Sequence, residues 1–346
     1  MLSKPSLSGV PPAELETLLS PLPAYRSKQI FGWINRGACS FEAMNNLPVA
    51  LRHELDGRFC LRKTAVANRL EDSDGGAIKL QISVQGGLIE AVVLQDAAGR
   101  RTACLSTQLG CPMGCVFCKT GSMGFIRNLD SAEITEQFYH IRALYPGISN
   151  IVIMGMGEPL LNLVELRRSL SVLCETASPR RVTVSTCGLA DGIVSLADSG
   201  PAVRLAVSLT TAREDLRRRL MPAAAANPLG SLKEAIMYHQ KRRGRRITLE
   251  AVMLGGINTS VQDADAMAAF ASGLDVVVNL IPWNPARGLA FEGSPLKEPS
   301  ATELGRFRSF LEERGLKTVL RRKKGRSIAG ACGQLGCPSP PFNAAR

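Results

Sequence analysis

No apolar run in this 346-residue chain approaches the roughly 18 residues that cross a bilayer, so a membrane span is not expected. The opening, MLSKPSLSGVPPAELETLL, lacks a continuous apolar core ending in a small-residue cleavage site, which leaves the cytosol as the expected compartment. Histidine is scarce: His53, His140 and His239 are scattered and form no visible ligand set. No repeat period indicates a solenoid, and no long low-complexity linker divides the chain. Acidic residues fall short of basic ones, 30 against 42, and the basic excess is clumped at 213–219 (REDLRRR), 241–246 (KRRGRR) and 321–326 (RRKKGR). Such clumps suit a polyanionic partner, because each phosphate neutralised releases condensed counterion. Three solvated basic surfaces are the plainer alternative.

Cysteine, in contrast, is plentiful. Four of the ten fall within the fifteen residues from Cys104 to Cys118, in CLSTQLGCPMGCVFC. A chain that is 45% hydrophobic builds an ordinary core without disulfide staples, and in a reducing compartment clustered thiols point to metal or redox chemistry. Cys111, Cys115 and Cys118 form C-x3-C-x2-C, and Gly110, Pro112 and Gly114 favour a loop that turns three thiolates onto one centre. Structural zinc takes four ligands and is closed, and cubane iron–sulfur clusters usually take four cysteines. Three ligands with no obvious fourth therefore describe a centre with one open position, for which iron–sulfur is preferred over zinc. Cys39, Cys60 and Cys174 lie in apolar helical contexts and read as core. Cys337 follows Cys332 by five residues but has no further ligand beside it, so a metal hook is not expected there.

Residues 12–75 read as helical, with apolar positions three and four apart in PAELETLLSPL, YRSKQIFGWINRG and LPVALRHELDGRF. From about residue 76 the rhythm becomes that of strands, and AIKLQISV and GLIEAVVL flank a glycine turn as in a hairpin. Short β-branched runs then recur at 150–156, 180–186, 203–209, 247–253, 276–281 and 317–322, with helical segments between them. This alternation predicts an α/β fold with a parallel sheet, doubly wound or a full or partial barrel; periodicity does not choose. In each case the site lies at the carboxyl ends of the strands, where Gly155, Gly157, Ser185 and Ser208 fall.

The C-x3-C-x2-C motif with Phe117 before its last cysteine resembles the signature of the radical S-adenosylmethionine superfamily. More narrowly, YRSKQIFGWI, GFIRNL (124–129), GMGEPLLN (155–162), LIPWNP (280–285) and ACGQL (331–335) resemble, in order and over nearly the whole chain, the RlmN/Cfr family of RNA adenosine methyltransferases. The resemblance implies a partial (β/α) barrel of the radical SAM type (76–322), a small N-terminal helical RNA-binding domain (1–75) and a C-terminal segment (323–346). It implies a [4Fe–4S] cluster on Cys111, Cys115 and Cys118. Two molecules of S-adenosylmethionine per turnover would be held at Gly157, Glu158, Ser185, Ser208, Leu209, Thr210 and Asn284. Thr210 stands where the family usually has histidine, which puts that contact in doubt; Cys187 is an additional thiol near the pocket with no assigned role.

Cys104 and Cys332, taken alone, read as small buried hydrophobes, and Glu90 as a strand residue facing water. Cys332 nevertheless sits in a glycine-flanked segment, read as mobile, beside the basic run 321–326. The resemblance implies that Cys332 is methylated and then carries the carbon to adenine, that Glu90 accepts the ring proton, and that Cys104 resolves the adduct, leaving a Cys104–Cys332 disulfide to be reduced. The expected activity is methylation of adenosine carbon 2 in 23S rRNA and also tRNA, by a monomer supplied with electrons by a flavodoxin or ferredoxin. Trp283 and Pro159 favour carbon 2. The rivals are a carbon-8 methyltransferase and a non-catalytic iron–sulfur RNA-binding protein.

Overall fold

The computed structural model describes residues 4–336; Cys337 and the rest of the 323–346 segment beyond Gly336 lie outside the described residues. Three helices, α1 (Pro12–Leu18), α2 (Ala24–Arg36) and α3 (Val49–Arg58), each begin immediately after a proline: Pro11, Pro23 and Pro48. Proline's fixed φ leads the chain into the first turn without a side-chain cap. Leu15, Ile30, Ile34 and Leu55 turn inward and join one hydrophobic cluster that continues into the sheet. Gly37, at φ +101°, ends α2 in the left-handed conformation that glycine tolerates best. Cys39 therefore falls past the helix and is exposed, and Cys60 and Cys174 are only partly buried, so none of the three is a core residue as the apolar context suggested. The helical run also stops earlier than residue 75. Ala65–Glu71 is a strand, β1, at the edge of the sheet, and its outward positions leave it without the apolar alternation that marks a strand in sequence.

The remaining sheet strands are β2 (Ala77–Val84), β3 (Gly87–Gln95), β4 (Arg101–Leu105), β5 (Ile148–Ile153), β6 (Val182–Thr186), β7 (Arg204–Ser208), β8 (Ile247–Met253), β9 (Val276–Pro282) and β10 (Thr318–Leu320). They lie in one ten-stranded sheet in chain order, each beside its predecessor. The first four are antiparallel neighbours; from β4 to β10 all pairs are parallel. A doubly wound sheet reverses strand order at a switch point. Here the order never reverses, so right-handed crossovers carry the helices to one face, and the arrangement is a partial barrel. The connecting helices include α4 (Ser131–Leu144), α5 (Leu163–Leu173), α6 (Ala190–Asp198), α7 (Glu214–Leu220), α8 (Leu229–Arg243), α9 (Val261–Ala271) and α10 (Ala301–Glu313). Among these, α4, α9 and α10 start in capping boxes built on Asp130, Ser260 and Ser300.

The pleat sorts side chains by parity. Val184, Leu205, Val207, Leu249, Val278 and Leu280 are fully buried or nearly so in the hydrophobic core. The alternate set is more polar, and strand register aligns it: Ser185 opposes Ala206, Ser208 opposes Glu250, Glu250 opposes Asn279, and Asn279 opposes Val319, two residues before Arg321. On the antiparallel side Gln81 opposes Glu90, Lys79 opposes Val92, and Val92 opposes Cys104. Because cross-strand partners share a face, Glu90, Cys104, Ser185, Ser208, Glu250 and Arg321 belong to one inner surface.

Candidate active site

The motif cysteines occupy the loop after β4. A short ribbon pairs Gln108–Gly110 with Phe125–Asn128, which closes the loop at its base. Gly110 has φ +78°, and a Cβ there would stand 2.0 Å from the Gly124 carbonyl oxygen, so only glycine fits. The Cys111 N–H donates to that same oxygen at 2.8 Å, and the Trp283 indole N–H donates to the Phe117 carbonyl at 3.0 Å. Cys111, Cys115 and Cys118 line one cavity. Burial pushes the Cys111 thiol up to about 12 and the Cys118 thiol up to about 11. A metal centre that takes up thiolates compensates this ionisation cost. Among the described residues no three His, Cys, Asp or Glu side chains converge as ligands of a single ion do. Cys187 lines the same cavity with its sulfur 3.9 Å from that of Cys115, and the three motif thiols, each able to take a separate iron, suit a cubane cluster better than one zinc ion.

The opposite wall comes from GMGEP after β5. A Cβ on Gly155 would lie 2.5 Å from the Ser106 hydroxyl, and one on Gly157, at φ +103°, would lie 2.6 Å from Gln108 Cβ. Glycine at both positions lets this turn pack directly against residues 105–108, which places Glu158 in the cavity lining. Glu158 is fully buried and lines the cavity. Its carboxylate accepts from the Cys187 N–H at 2.7 Å and the Leu160 N–H at 3.0 Å, and burial raises its pKa against these stabilising bonds. The Thr186 and Cys187 side chains also hydrogen-bond this carboxylate. Ser185, Ser208 and Asn284 line the same cavity. Asn284 Nδ2 donates to the Cys332 carbonyl at 3.2 Å, while its Oδ1 is buried without a partner, a vacant acceptor suited to the ammonium or hydroxyl donors of S-adenosylmethionine. Leu209 and Thr210 are not on this wall. Ser208 points inward, so the next residue turns outward, and Leu209 is fully buried in the core. Thr210 adopts φ +61°, its N–H bonded to the Glu250 carbonyl at 3.0 Å and its hydroxyl buried without a partner.

Cys332 reaches the cavity from the far end of the chain. The segment that carries it, read from sequence as mobile, is tied down. Lys119 N–H donates to the Gly333 carbonyl and the Thr120 hydroxyl to the Leu335 carbonyl, each at 2.8 Å. Gln334 Nε2 donates to the Pro285 carbonyl at 2.8 Å. Arg321, first of the third basic run, faces inward with Nη1 4.0 Å from Cys332 Sγ. Burial raises the Cys332 thiol, and Arg321 opposes the rise. Cys104 is pushed up to about 12, by burial first and then by the charge of Cys332, again opposed by Arg321. Two thiols and one guanidinium thus share a field, and both thiols are free.

Glu90 does not face water. It is buried, 2.9 Å from the ammonium of the fully buried Lys79, accepts from Gln81 Nε2 at 3.1 Å, and accepts from the Gly336 N–H at 2.7 Å. Lys79 also donates to the Ala329 carbonyl at 3.2 Å, so this ion pair grips the C-terminal segment at two points.

The comparisons with known proteins agree with this geometry. Residues 105–270 match the family described as the Radical SAM superfamily. A probable dual-specificity RNA methyltransferase RlmN of Treponema denticola is 47% identical over 98% of both chains. The chain belongs to the RlmN family of radical SAM RNA methyltransferases. The dual-specificity RNA methyltransferase RlmN of Lawsonia intracellularis is 40% identical over 90% of both chains. A crystal structure of a radical SAM methyltransferase from Sphaerobacter thermophilus superposes with a TM-score of 0.89 at 37% identity, covering 96% of this chain and 99% of that one. The chain is therefore an enzyme of the radical SAM type, and such RlmN-type methyltransferases act on RNA with an iron–sulfur cluster and S-adenosylmethionine. No helix among the described residues is long and apolar enough to cross a membrane.

Sequence reasoning missed three residues of the inner surface: Lys79, Glu250 and Arg321. Each had a signal. Lys79 and Glu250 are the charged residues of the strands AIKLQISV and ITLEAVM and stand at the parity of the polar face. Arg321 was grouped with surface charge. Arg217, in the first basic run, is likewise buried, donating to the Cys187 carbonyl at 2.7 Å and the Asn227 carbonyl at 3.2 Å.

Proposed function

We propose that this enzyme methylates carbon 2 of an adenosine in 23S rRNA, and in tRNA as a second substrate, through a methylated Cys332. The observation that carries the reading is the return of Cys332, remote in sequence, to the cavity lined by Cys111, Cys115 and Cys118. When bound, the cluster on those cysteines and two molecules of S-adenosylmethionine supply a methyl group and a hydrogen-abstracting carbon radical. Gly157 and Glu158 hold S-adenosylmethionine from one side, with Ser185, Ser208 and Asn284 on the other; Leu209 and Thr210 shape the turn behind Ser208.

The Cys332 sulfur takes the methyl carbon, with Arg321 favouring its thiolate; that carbon, having lost one hydrogen atom to the radical, bonds to the electron-poor ring, and the adduct gives up one electron, for which the bound cluster would be the acceptor. Glu90 takes the ring proton once its carboxylate is released from Gly336. The Cys104 thiolate then attacks the Cys332 sulfur: an S–S bond forms, the S–C bond breaks, and its electron pair takes a proton to complete the methyl group. Two electrons from a cellular dithiol reduce the resulting disulfide, and a donor of the flavodoxin or ferredoxin class serves the cluster. The protein acts as a cytoplasmic monomer.

The test is anaerobic reconstitution with iron and sulfide, reaction with reductant, S-adenosylmethionine and RNA, and mass analysis of the digested nucleosides. Appearance of 2-methyladenosine with 5′-deoxyadenosine is expected. A carbon-8 product overturns the regiochemistry, and a loaded cluster with neither product overturns catalysis.

A further inference from the structure

The three basic runs have different fates in the fold. In 213–219, Arg217 is buried on carbonyls, Arg218 pairs with Glu214 at 3.1 Å, Arg219 pairs with Glu292 at 2.6 Å, and Arg213 stands 3.6 Å from both Asp215 and Asp263. In 321–326, Arg321 serves the thiols, Lys323 and Arg326 pair with Glu298, and Lys324 bonds the Gln95 carbonyl. The run 241–246 behaves otherwise. Its Arg243, Arg245 and Arg246 meet Arg180 and Arg204 around a cleft of about 590 Å³.

The position of this cleft follows from the register. Arg180 precedes β6, Arg204 opens β7, and Arg245 and Arg246 precede β8, so the cleft is the mouth at the amino ends of the strands. The cysteine loop and GMGEP occupy the other end. Thr183 opposes Arg204, and Thr248 opposes Ala206, which sets two hydroxyl-bearing side chains on the inner face beneath the guanidinium groups. Both threonines line the cleft. Only Arg246 has a carboxylate partner, Asp275 at 2.7 Å; among the described residues none pairs with Arg180, Arg204 or Arg245. Burial, then the charges of Arg180, Arg204 and Arg243, hold the Arg245 guanidinium below the ordinary arginine value. Like charges gathered in a concave site are costly unless an anion relieves them, and arginine forks with hydroxyl donors match phosphate oxygens. A cleft of this size also suits a compact ligand.

We propose that the amino-end mouth of the barrel is a second binding site, which takes clustered phosphate groups apart from the reaction centre. The phosphates come either from a free polyphosphate compound or from RNA backbone outside the methylated stretch.

Calorimetric titration of the full chain with tripolyphosphate tests this. Saturable binding of one anion per chain is expected, weakened about tenfold or more in an Arg180→Ala/Arg245→Ala variant, since each loses charge-assisted bonds. A Lys241→Ala/Arg242→Ala variant removes equal charge outside the cleft and leaves binding unchanged. Thermal unfolding establishes that both variants fold; these side chains support no core contact. The absence of saturable binding, or equal weakening in both variants, overturns the proposal. A 5′-hydroxyl RNA oligonucleotide separates the sources. If the cleft variant weakens RNA and tripolyphosphate alike, the phosphates belong to RNA; if it weakens tripolyphosphate alone, they belong to a free compound.

Discussion

Replacing Lys79 by methionine removes one partner of a buried ion pair and keeps the length and apolar stem of the side chain. The ammonium is fully buried, 2.9 Å from Glu90, and breaking such a pair leaves an uncompensated charge at a cost of about 3–5 kcal/mol. Glu90 keeps its bonds from Gln81 and the Gly336 N–H, so the lower end applies, about 3 kcal/mol, which for a chain of this size lowers Tm by about 4 °C. A Lys79→Met/Glu90→Gln double variant has no charge left to compensate. Its amide oxygen still accepts from the Gly336 N–H, and its stability returns to within about 1 kcal/mol of the parent. The assay is a double-mutant cycle by denaturant unfolding of the four proteins. A coupling of about 2 kcal/mol or more is expected, and additivity within about 0.5 kcal/mol would refute the ion pair as the organising interaction of this region.

Three shorter predictions follow from other parts of the molecule. Cys104→Ala traps a covalent protein–RNA adduct, visible as a shifted band on a denaturing gel; normal product release removes Cys104 from the resolving role. Gly157→Ala forces a Cβ to 2.6 Å from Gln108 at φ +103°, and binding of S-adenosylmethionine measured by equilibrium dialysis falls at least about tenfold while the thiol count stays the same. His239 is held down to about 4, by burial and then by Arg243 and Arg245. The unfolded chain therefore binds the extra proton first. This histidine's contribution is intact above pH ~6.5 and is lost as pH falls towards ~4, by about 3 kcal/mol at most. In His239→Leu the stability slope across that window flattens by one proton; an unchanged slope would show that His239 titrates normally.

The parallel half of the fold was legible because its strands are buried runs separated by long amphipathic helices, and the observed strands fall within or beside each of the six runs. What periodicity left open, barrel or doubly wound, was decided by strand order, a non-local property. β1 was missed because an edge strand with mostly outward side chains carries little hydrophobic pattern. The cysteine loop and GMGEP were legible because their glycines and thiols are rare types at fixed spacing. Leu209 and Thr210 match the family's cofactor pocket by likeness, yet neither lines the cavity: the pleat that turns Ser208 inward turns Leu209 outward, and the left-handed turn at Thr210 carries the chain off the strand. Lys79 was hidden for a different reason: a buried lysine is understood only with its partner, and Glu90 becomes that partner through pairing of β2 with β3.

Strand order also bears on how the site comes into being. Each strand of the sheet lies against one already made, so the barrel can grow in step with synthesis through short-range closures. The C-terminal segment must travel furthest back, Ala329 to Lys79 across 250 positions and Gly336 to Glu90 across 246. A nascent chain stopped at residue 324 has its sheet, its cysteine loop and its GMGEP turn, yet lacks Cys332, the thiol proposed above to carry carbon to RNA. Formation of the cysteine-lined pocket and delivery of Cys332 to it are thereby separated in time, the second waiting on the last stretch of chain to arrive.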